Sequence, residues 1–389
     1  MYFWIMLFCF GILCVYMSNV VKNNQRKYIT NVYFMIIWAI SSFRYRIGAD
    51  YDEYEILYSI TSTNDIFQGS MEPTFCVIAE VFKYFGLNSQ AMFLVYTTVT
   101  LVFVLITLRR YLGCEKENVI ILVLFLYTCV GLQGGYWWGM NAMRQGAAVA
   151  ITFFASYYAY QRNIFKYFGT MILAFMFHYS ALIFFPAYFI RRKQKSNIKL
   201  VMLIGMALSL CAWMGFSQRL FFNGIFWFAD LYGKYGDALT LLSYVEGSFV
   251  YINIIYLLFF LYSLHKEDAK DALYVYLDGL SCCFIFIRLF TGFYMEGSSV
   301  MYLIHRLAPY FLFYYLLHIS YTLSRGVIAY DKEKYMLNEI LVSISIIVIF
   351  VFIGCKDIYF EQENPLYKNV RGTSMGNIDY DYRLDFLEK

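Results

Sequence analysis

Charge is what this sequence has least of. Asp, Glu, Lys and Arg make up 15% of its 389 residues, against 61% for the hydrophobic types. Soluble domains carry about 25% charged residues, so a string of water-soluble domains is excluded. The motifs of metal- and nucleotide-driven chemistry are also missing. There is no HExxH, no DxD, no P-loop and no GxSxG, and nothing suggests metal-dependent or ATP-driven chemistry. Nine cysteines are present, but without a CxxC or a zinc-like Cys/His spacing. Most lie in apolar blocks, where Cys acts as a small hydrophobe. No metal site and no cofactor is therefore expected. The formal net charge is only +4, and the basic residues sit in short loops, so nucleic-acid binding has no support.

What the chain does have is long apolar runs. "MYFWIMLFCFGILCVYMSNVV" opens it, and about 20 such residues suffice to cross a bilayer core of about 30 Å. This first run has no basic n-region and no small-residue cleavage site, so it reads as a retained helix rather than a signal peptide. Similar runs predict spans at 1–21, 29–43, 90–108, 118–134, 143–161, 197–215, 248–264, 272–291, 300–323 and 337–354. The fold class expected is all-α: a polytopic helical membrane protein of about 10–12 transmembrane or re-entrant helices. A membrane barrel would instead alternate in ten-residue segments. Residues 1–354 read as a single transmembrane domain and 355–389 as a polar extracytoplasmic tail.

Lys and Arg concentrate in alternate short loops, which orients the chain with those loops in the cytoplasm. The loops 44–72, 135–144, 217–247 and 292–299 then face outward. Two apolar segments do not fit as simple crossings. Segment 73–88 would reach only about 24 Å as a helix and carries Glu80 and Lys83. Segment 165–190 is flanked by basic loops on both sides, so it must enter and leave by one face. It is expected to break near "FHYS" (177–180), which is tolerated only inside protein or beside a water-filled cavity. Both segments are re-entrant candidates.

The scarce ions cluster on the outer side. "FRYRIGADYDEY" (43–54) holds Arg44, Arg46, Asp50, Asp52 and Glu53 around Gly48. Guanidinium forks match phosphate oxygens, and the acids offer a base; a solvated loop with Arg at headgroup level explains the same pattern. "WWGMNAMRQG" (137–146) places Arg144 and Gln145 at the outer start of a helix, beside Trp137 and Trp138. Arg144 reads equally as phosphate ligand or snorkelling anchor. His178 sits at the expected break, as a structural or a reacting histidine. Arg288 lies near the outer end of its helix. In "YLIHRLAPYF" (302–311), His305 and Arg306 are placed more than one turn inside a span, with Pro309 as a kink. An ion within a span is a functional candidate; pairing with Glu296 or Glu246 is the structural alternative.

These stretches together resemble a known family. "RYRIGADYDEY" is similar to the R-x-x-x-G-T-D-Y-x-x-Y signature of the EpsG-like family of polysaccharide-assembly proteins. "MEPTF" (71–75) resembles its acidic motif, 143–186 its R-Q…F-H-x-S-A-L block, and "HRLAPYF" its R-x-x-x-Y-F element. Ala49 stands where that family usually has Thr. The resemblance implies a Wzy-type polymerase of O-antigen, capsule or exopolysaccharide, similar to metal-independent GT-C-type transferases that use lipid-linked sugars. It would move a growing glycan from undecaprenyl diphosphate to the non-reducing end of a lipid-linked repeat unit, on the outer face of the bacterial cytoplasmic membrane. A chain-length regulator and a flippase are the implied partners. On that reading Arg44, Arg144 and Arg306 bind the diphosphate, with Arg288 and Arg46 as lesser candidates. Asp50 is the first choice of base, Glu72 the second, and His178 a third or an orienter. Tyr51, Tyr54, Trp137, Trp138 and Gln145 are candidates for contact with sugar. An O-antigen-ligase-type transferase would need the same clamp. A transporter of lipid-linked oligosaccharide would instead line a path through both leaflets, and an O-acyltransferase would need cytoplasmic access to its donor.

Overall fold

The computed structural model describes residues 2–48, 50–68, 71–130, 134–189, 249–265, 272–292, 306–328 and 344–355. The expected span 197–215, the start of the expected span 337–354, the loop 217–247, the loop 292–299 beyond Gly292, His305, Ala49 and the tail beyond Cys355 lie outside the described residues. Within them the chain is helical throughout and holds no strand. The elements are α1 (Tyr2–Val20), α2 (Asn23–Ser42), α3 (Tyr51–Ile60), α4 (Asn64–Gln68), α5 (Pro73–Tyr84), α6 (Gln90–Leu112), α7 (Glu117–Cys129), α8 (Tyr136–Asn141), α9 (Met143–Tyr160) and α10 (Ile164–Phe177). A 3₁₀ segment follows at Tyr179–Phe189, then α11 (Phe249–His265), α12 (Ala272–Gly292), α13 (Pro309–Ile328) and α14 (Ile344–Cys355).

α7 is the centre: all thirteen of its residues are buried. α1, α2, α6 and α13 pack around it. α9 packs against α6 and α10, and its small residues Ala147, Ala148, Ala150 and Ala155, all fully buried, permit that close approach. A Cβ added at Gly146 would meet the Gly139 backbone at 3.3 Å, so glycine sets the spacing between α8 and α9. Ring contacts fasten α13 to its neighbours: Phe313 stacks on Phe153 at 5.0 Å and lies tilted 4.9 Å from Tyr127, and Tyr314 stacks on Phe184 at 5.7 Å. Each such pair adds about 0.5–1.5 kcal/mol beyond its buried area.

Among the described residues, two helices are long and apolar enough to cross a membrane: Phe3–Val20 and Gln90–Leu112. Others are shorter or more polar. α5 has twelve residues, a rise of about 18 Å, and so falls short of a bilayer core. Three expected boundaries move. α2 begins earlier, at Asn23, and α7 ends earlier, at Cys129. The expected span 300–323 is displaced: its helix starts at Pro309, so Arg306 precedes the helix rather than lying inside it. Proline costs nothing at a first helical turn, because its missing N–H has no intrahelical partner there.

Segment 164–189 folds back on itself. Asn163 caps α10 through a bond from the Lys166 N–H at 3.1 Å. His178 adopts extended backbone (φ −161°, ψ 127°) and ends the helix. The 3₁₀ segment then returns alongside. Tyr167 donates to the Phe184 carbonyl at 2.5 Å, and Tyr188 donates to the Arg162 carbonyl at 3.2 Å. The result is a hairpin with His178 at its apex.

At the opposite pole, fully buried Glu117 opens α7 and accepts from Arg109 Nε at 2.8 Å, while Arg109 also donates to Asn31 at 2.8 Å. Removing the arginine strands a buried carboxylate, which costs about 3–5 kcal/mol. Arg109→Ala should therefore lower the melting temperature in detergent clearly more than Glu117→Gln, which removes the charge together with its need for a partner.

Candidate active site

Five chain segments begin at one place. The loop 43–50 leaves α2 and turns at Gly48, whose φ of +104° and tight approach to Asn141 leave no room for a side chain. It delivers Asp50 to the N-cap of α3. Asp normally caps its helix, yet Asp50 makes no side-chain capping bond. Its carboxyl belongs to the ion cluster instead. Burial first, and Glu53 second, push its pKa up to about 6, against the pull of Arg306, Arg144 and Arg44.

Glu72 stands likewise at the N-cap of α5 without capping it. It forms an ion pair with Arg144, in the first turn of α9. Arg144 also contacts the Met71 sulfur and lies over the rings of Tyr54 and Phe75 at 5.8 and 5.5 Å. The second Glu72 oxygen is 3.7 Å from His178 Nε2. On its other side, His178 Nδ1 meets Ser180 Oγ at 2.8 Å, and Ser180 Oγ meets the Tyr310 hydroxyl at 2.8 Å. The hairpin apex is pinned to α5 by Tyr179 donating to the Met71 carbonyl and Thr74 donating to the Met176 carbonyl. Arg306 approaches from the start of α13, and Gln145 holds its carbonyl at 2.7 Å.

Asp50, Glu72, His178, Arg144 and Arg306 thus meet in one cluster. The remaining expected site residues fall elsewhere or act differently. Arg44 is 3% exposed. It donates to the Met140 carbonyl at 2.7 Å and to Ser41, and stacks over Phe93 at 4.6 Å. Burial lowers its pKa to about 10, so it remains a cation; its terminal nitrogens tie α2 to α8, while its buried Nε has no hydrogen-bond partner among the described residues. These contacts give it a structural and electrostatic role. Arg46 is exposed, in left-handed backbone (φ 50°), 5.5 Å from the Tyr45 ring. Arg288 is buried and donates to Asn253 at 2.9 Å between α11 and α12.

The residues expected to meet sugar pack as follows. Tyr51 is buried and stacks on Phe93 at 4.7 Å, and buried Tyr54 packs between Phe75 and Phe93. Trp137 is buried edge-on against Trp4, whereas Trp138 packs on the core but stays partly exposed. Tyr51, Tyr54 and Trp137 are thus engaged by protein. Gln145 serves the backbone that carries Arg306 rather than a sugar. Tyr310, Ser180, Met140 and Tyr96, which shares the field of Arg144 and Glu72, were not anticipated. Ser180 and Tyr310 stand in the F-H-x-S-A-L and R-x-x-x-Y-F stretches, but the bond between them arises from a contact across the bundle. A second buried pair also escaped notice: His318 Nε2 lies 3.1 Å from Asp278 Oδ1, between α13 and α12.

The separation of roles between the two arginines of the opening loop is open to measurement. Arg44→Ala should destabilise the fold by about 1–3 kcal/mol, the usual consequence of lost buried hydrogen bonds. Arg46→Ala should fall within about 0.5 kcal/mol of wild type, as surface changes do. Detergent thermal melts of the two variants make the comparison.

Among the described residues no group of His, Cys, Asp and Glu is arranged to hold a metal ion. No curated protein and no solved structure matches the chain. The family model described as the EpsG family matches residues 27–368, which takes in every residue of the cluster. EpsG proteins are a Wzy-like polymerase family with a role in polysaccharide biosynthesis. The convergence of Asp50, Glu72, Arg144, His178 and Arg306 accordingly sits in a chain that belongs to the EpsG family.

Proposed function

We propose that this chain is a polytopic membrane glycosyltransferase that polymerises a polysaccharide. It transfers a growing glycan from undecaprenyl diphosphate to a lipid-linked repeat unit on the outer face of the bacterial cytoplasmic membrane, without a metal. The observation that carries this reading is the gathering of Asp50, Glu72 and His178 with Arg144 and Arg306 where α3, α5, α9 and α13 begin, with burial pushing the Asp50 pKa up to about 6. A carboxylate tuned toward neutrality and set next to a pair of cations suits a base facing an anionic leaving group.

Membrane residence is supported by what the helices expose. α1 buries Trp4, Leu7 and Phe8 but leaves Phe3, Met6 and Leu13 open, and α6, α10, α11 and α14 expose Ile106, Ile172, Leu258 and Phe352. Apolar exposure spread over so many helices suits lipid rather than water. Helix starts supply further support for an anion. α3, α5, α9 and α13 all begin at the cluster, and helix N-termini carry partial positive charge.

The reaction then needs little from the protein beyond placement and charge. The acceptor hydroxyl gives its proton to Asp50 while its oxygen bonds the anomeric carbon of the donor. The bond from that carbon to the diphosphate breaks, and its electron pair leaves on the diphosphate oxygen. Arg144 and Arg306 stabilise that growing charge. Glu72 is already committed to Arg144, which leaves Asp50 as the base.

Purified protein with defined lipid-linked repeats tests the scheme. Asp50 must be ionised to act, so kcat/KM should fall below about pH 6 and level off above it. Asp50→Asn should abolish that inflection and cost at least about 10²-fold. Arg144→Ala and Arg306→Ala should each lower kcat by about 10²–10³-fold, as for loss of one charge-stabilising donor. Full activity in Asp50→Asn would remove Asp50 from the mechanism. Normal polymerisation by both arginine variants would dismiss the diphosphate clamp.

A further inference from the structure

We infer that His178 works as a neutral hydrogen-bond donor through Nε2, not as a base, and that it donates to the departing diphosphate. The inference rests on the transferase reading above, but its first premise does not. The Ser180 backbone N–H points at His178 Nδ1 at 3.2 Å. A backbone N–H can only donate, so Nδ1 must be the acceptor. In a neutral imidazole the single proton then sits on Nε2.

The direction of the rest of the chain follows. With Nδ1 accepting, the Ser180 hydroxyl donates to it across 2.8 Å, and that same oxygen accepts from the Tyr310 hydroxyl across 2.8 Å. Tyr310, the far end of this relay, is 1% exposed, while Ser180 and His178 are half-buried. Successive donation toward Nδ1 draws electron density from the ring and strengthens the donor at Nε2. That Nε2–H faces Glu72 at 3.7 Å, longer than a good hydrogen bond, and the neighbouring carboxylate oxygen is already taken by Arg144. The donor is aimed but only loosely engaged, within the electrostatic reach of Arg144 and Arg306.

Taking up a second proton at Nδ1 would break the bonds from Ser180, and it would place another cation beside two arginines. A base is therefore the wrong role for this histidine. A fixed neutral donor fits beside cations that hold an anion. In the transfer step it moves no proton. It donates to a non-bridging diphosphate oxygen as the carbon–oxygen bond breaks, while the acceptor proton goes to Asp50. Ser180 and Tyr310 are positioning residues that hold the tautomer.

Two measurements separate this inference from the reading beneath it. The first needs no activity. Nitrogen NMR of ¹⁵N-histidine-labelled protein in detergent, with the His178 signal identified from its loss in His178→Gln, reports the tautomer. The expected result is an unprotonated Nδ1 and a protonated Nε2 near neutral pH; the opposite tautomer or an imidazolium overturns the inference, whether or not the protein polymerises. The second is turnover of defined lipid-linked repeats by His178→Gln, His178→Asn and His178→Ala, each checked for a wild-type melt. The Gln amide reaches the Nε2 position and can donate; the Asn amide lies at Nδ1. Gln should keep activity within about tenfold of wild type, with Asn and Ala down about 10²–10³-fold. If Gln is as inactive as Ala, the donor role is wrong. If wild type itself does not turn over these substrates, the transferase reading fails while the NMR result still decides the tautomer.

Discussion

The ion pair between Glu72 and Arg144 is the constraint on which the ion cluster of this protein depends. Glu72 begins α5 and Arg144 begins α9, two helices separated by most of the intervening bundle in sequence. Neither charge is tolerable alone at such depth, because the partner left behind would be a desolvated ion. The pair therefore decides where α5 rests. Once α5 is placed, Thr74 and Met71 fix the hairpin apex, and the apex carries His178 to the same spot. A short helix that cannot span a bilayer is located by one charge contact and its neighbours.

A second regularity is the allocation of side chains at helix starts. Asp50 and Glu72 are the residue types that stabilise a helix N-terminus, and they stand where a cap belongs. Both turn their oxygens elsewhere. Local helix stability is given up so that two carboxylates enter a cluster of guanidinium groups. Such departures from local preference mark functional sites, since the surrounding packing must hold what the local sequence would not choose. Here that packing is aromatic: Tyr54, Phe75, Phe93 and Tyr96 form the floor under the cations.

Much of this was legible in the sequence, and the failures have a common cause. Apolar blocks announced the helices, and scarcity of charge drew attention to Asp50, Glu72, Arg144 and Arg306. A break at His178 followed from basic loops on both sides of one apolar segment. Faces were not legible. α3 has a polar and an apolar side, but its period does not say whether an aromatic on the apolar side meets the bundle or a ligand, and α8 is too short to show a period, so Tyr51, Tyr54 and Trp137 looked as suited to a sugar as to a core. Arg44 and Arg144 occupy similar contexts in the sequence, yet only contacts from α8 commit the former to the fold. Pro309 has two physically sound readings, a kink within a helix or the start of one, and the second holds. Ser180 and Tyr310 stand in quoted motifs, but that they bond each other across the bundle could not be read from either one.

The central helix α7 presents no side to the surroundings, since every one of its residues is covered by protein. Its thirteen residues rise about 20 Å, too little to span a hydrocarbon core alone, and it opens with Glu117, fully buried against Arg109 and close to Asn31 through that arginine. In a bilayer such a segment has no independent resting state: it is settled only when its escorts are already in place. The order of the chain provides them. Asn31 on α2 and Arg109 at the end of α6 are both synthesised before Glu117, so the counter-charge is waiting when the helix that needs it emerges. The cover of α7 is completed only later in the chain, when α13 packs against it, so the axis of the bundle is charge-paired first and enclosed last.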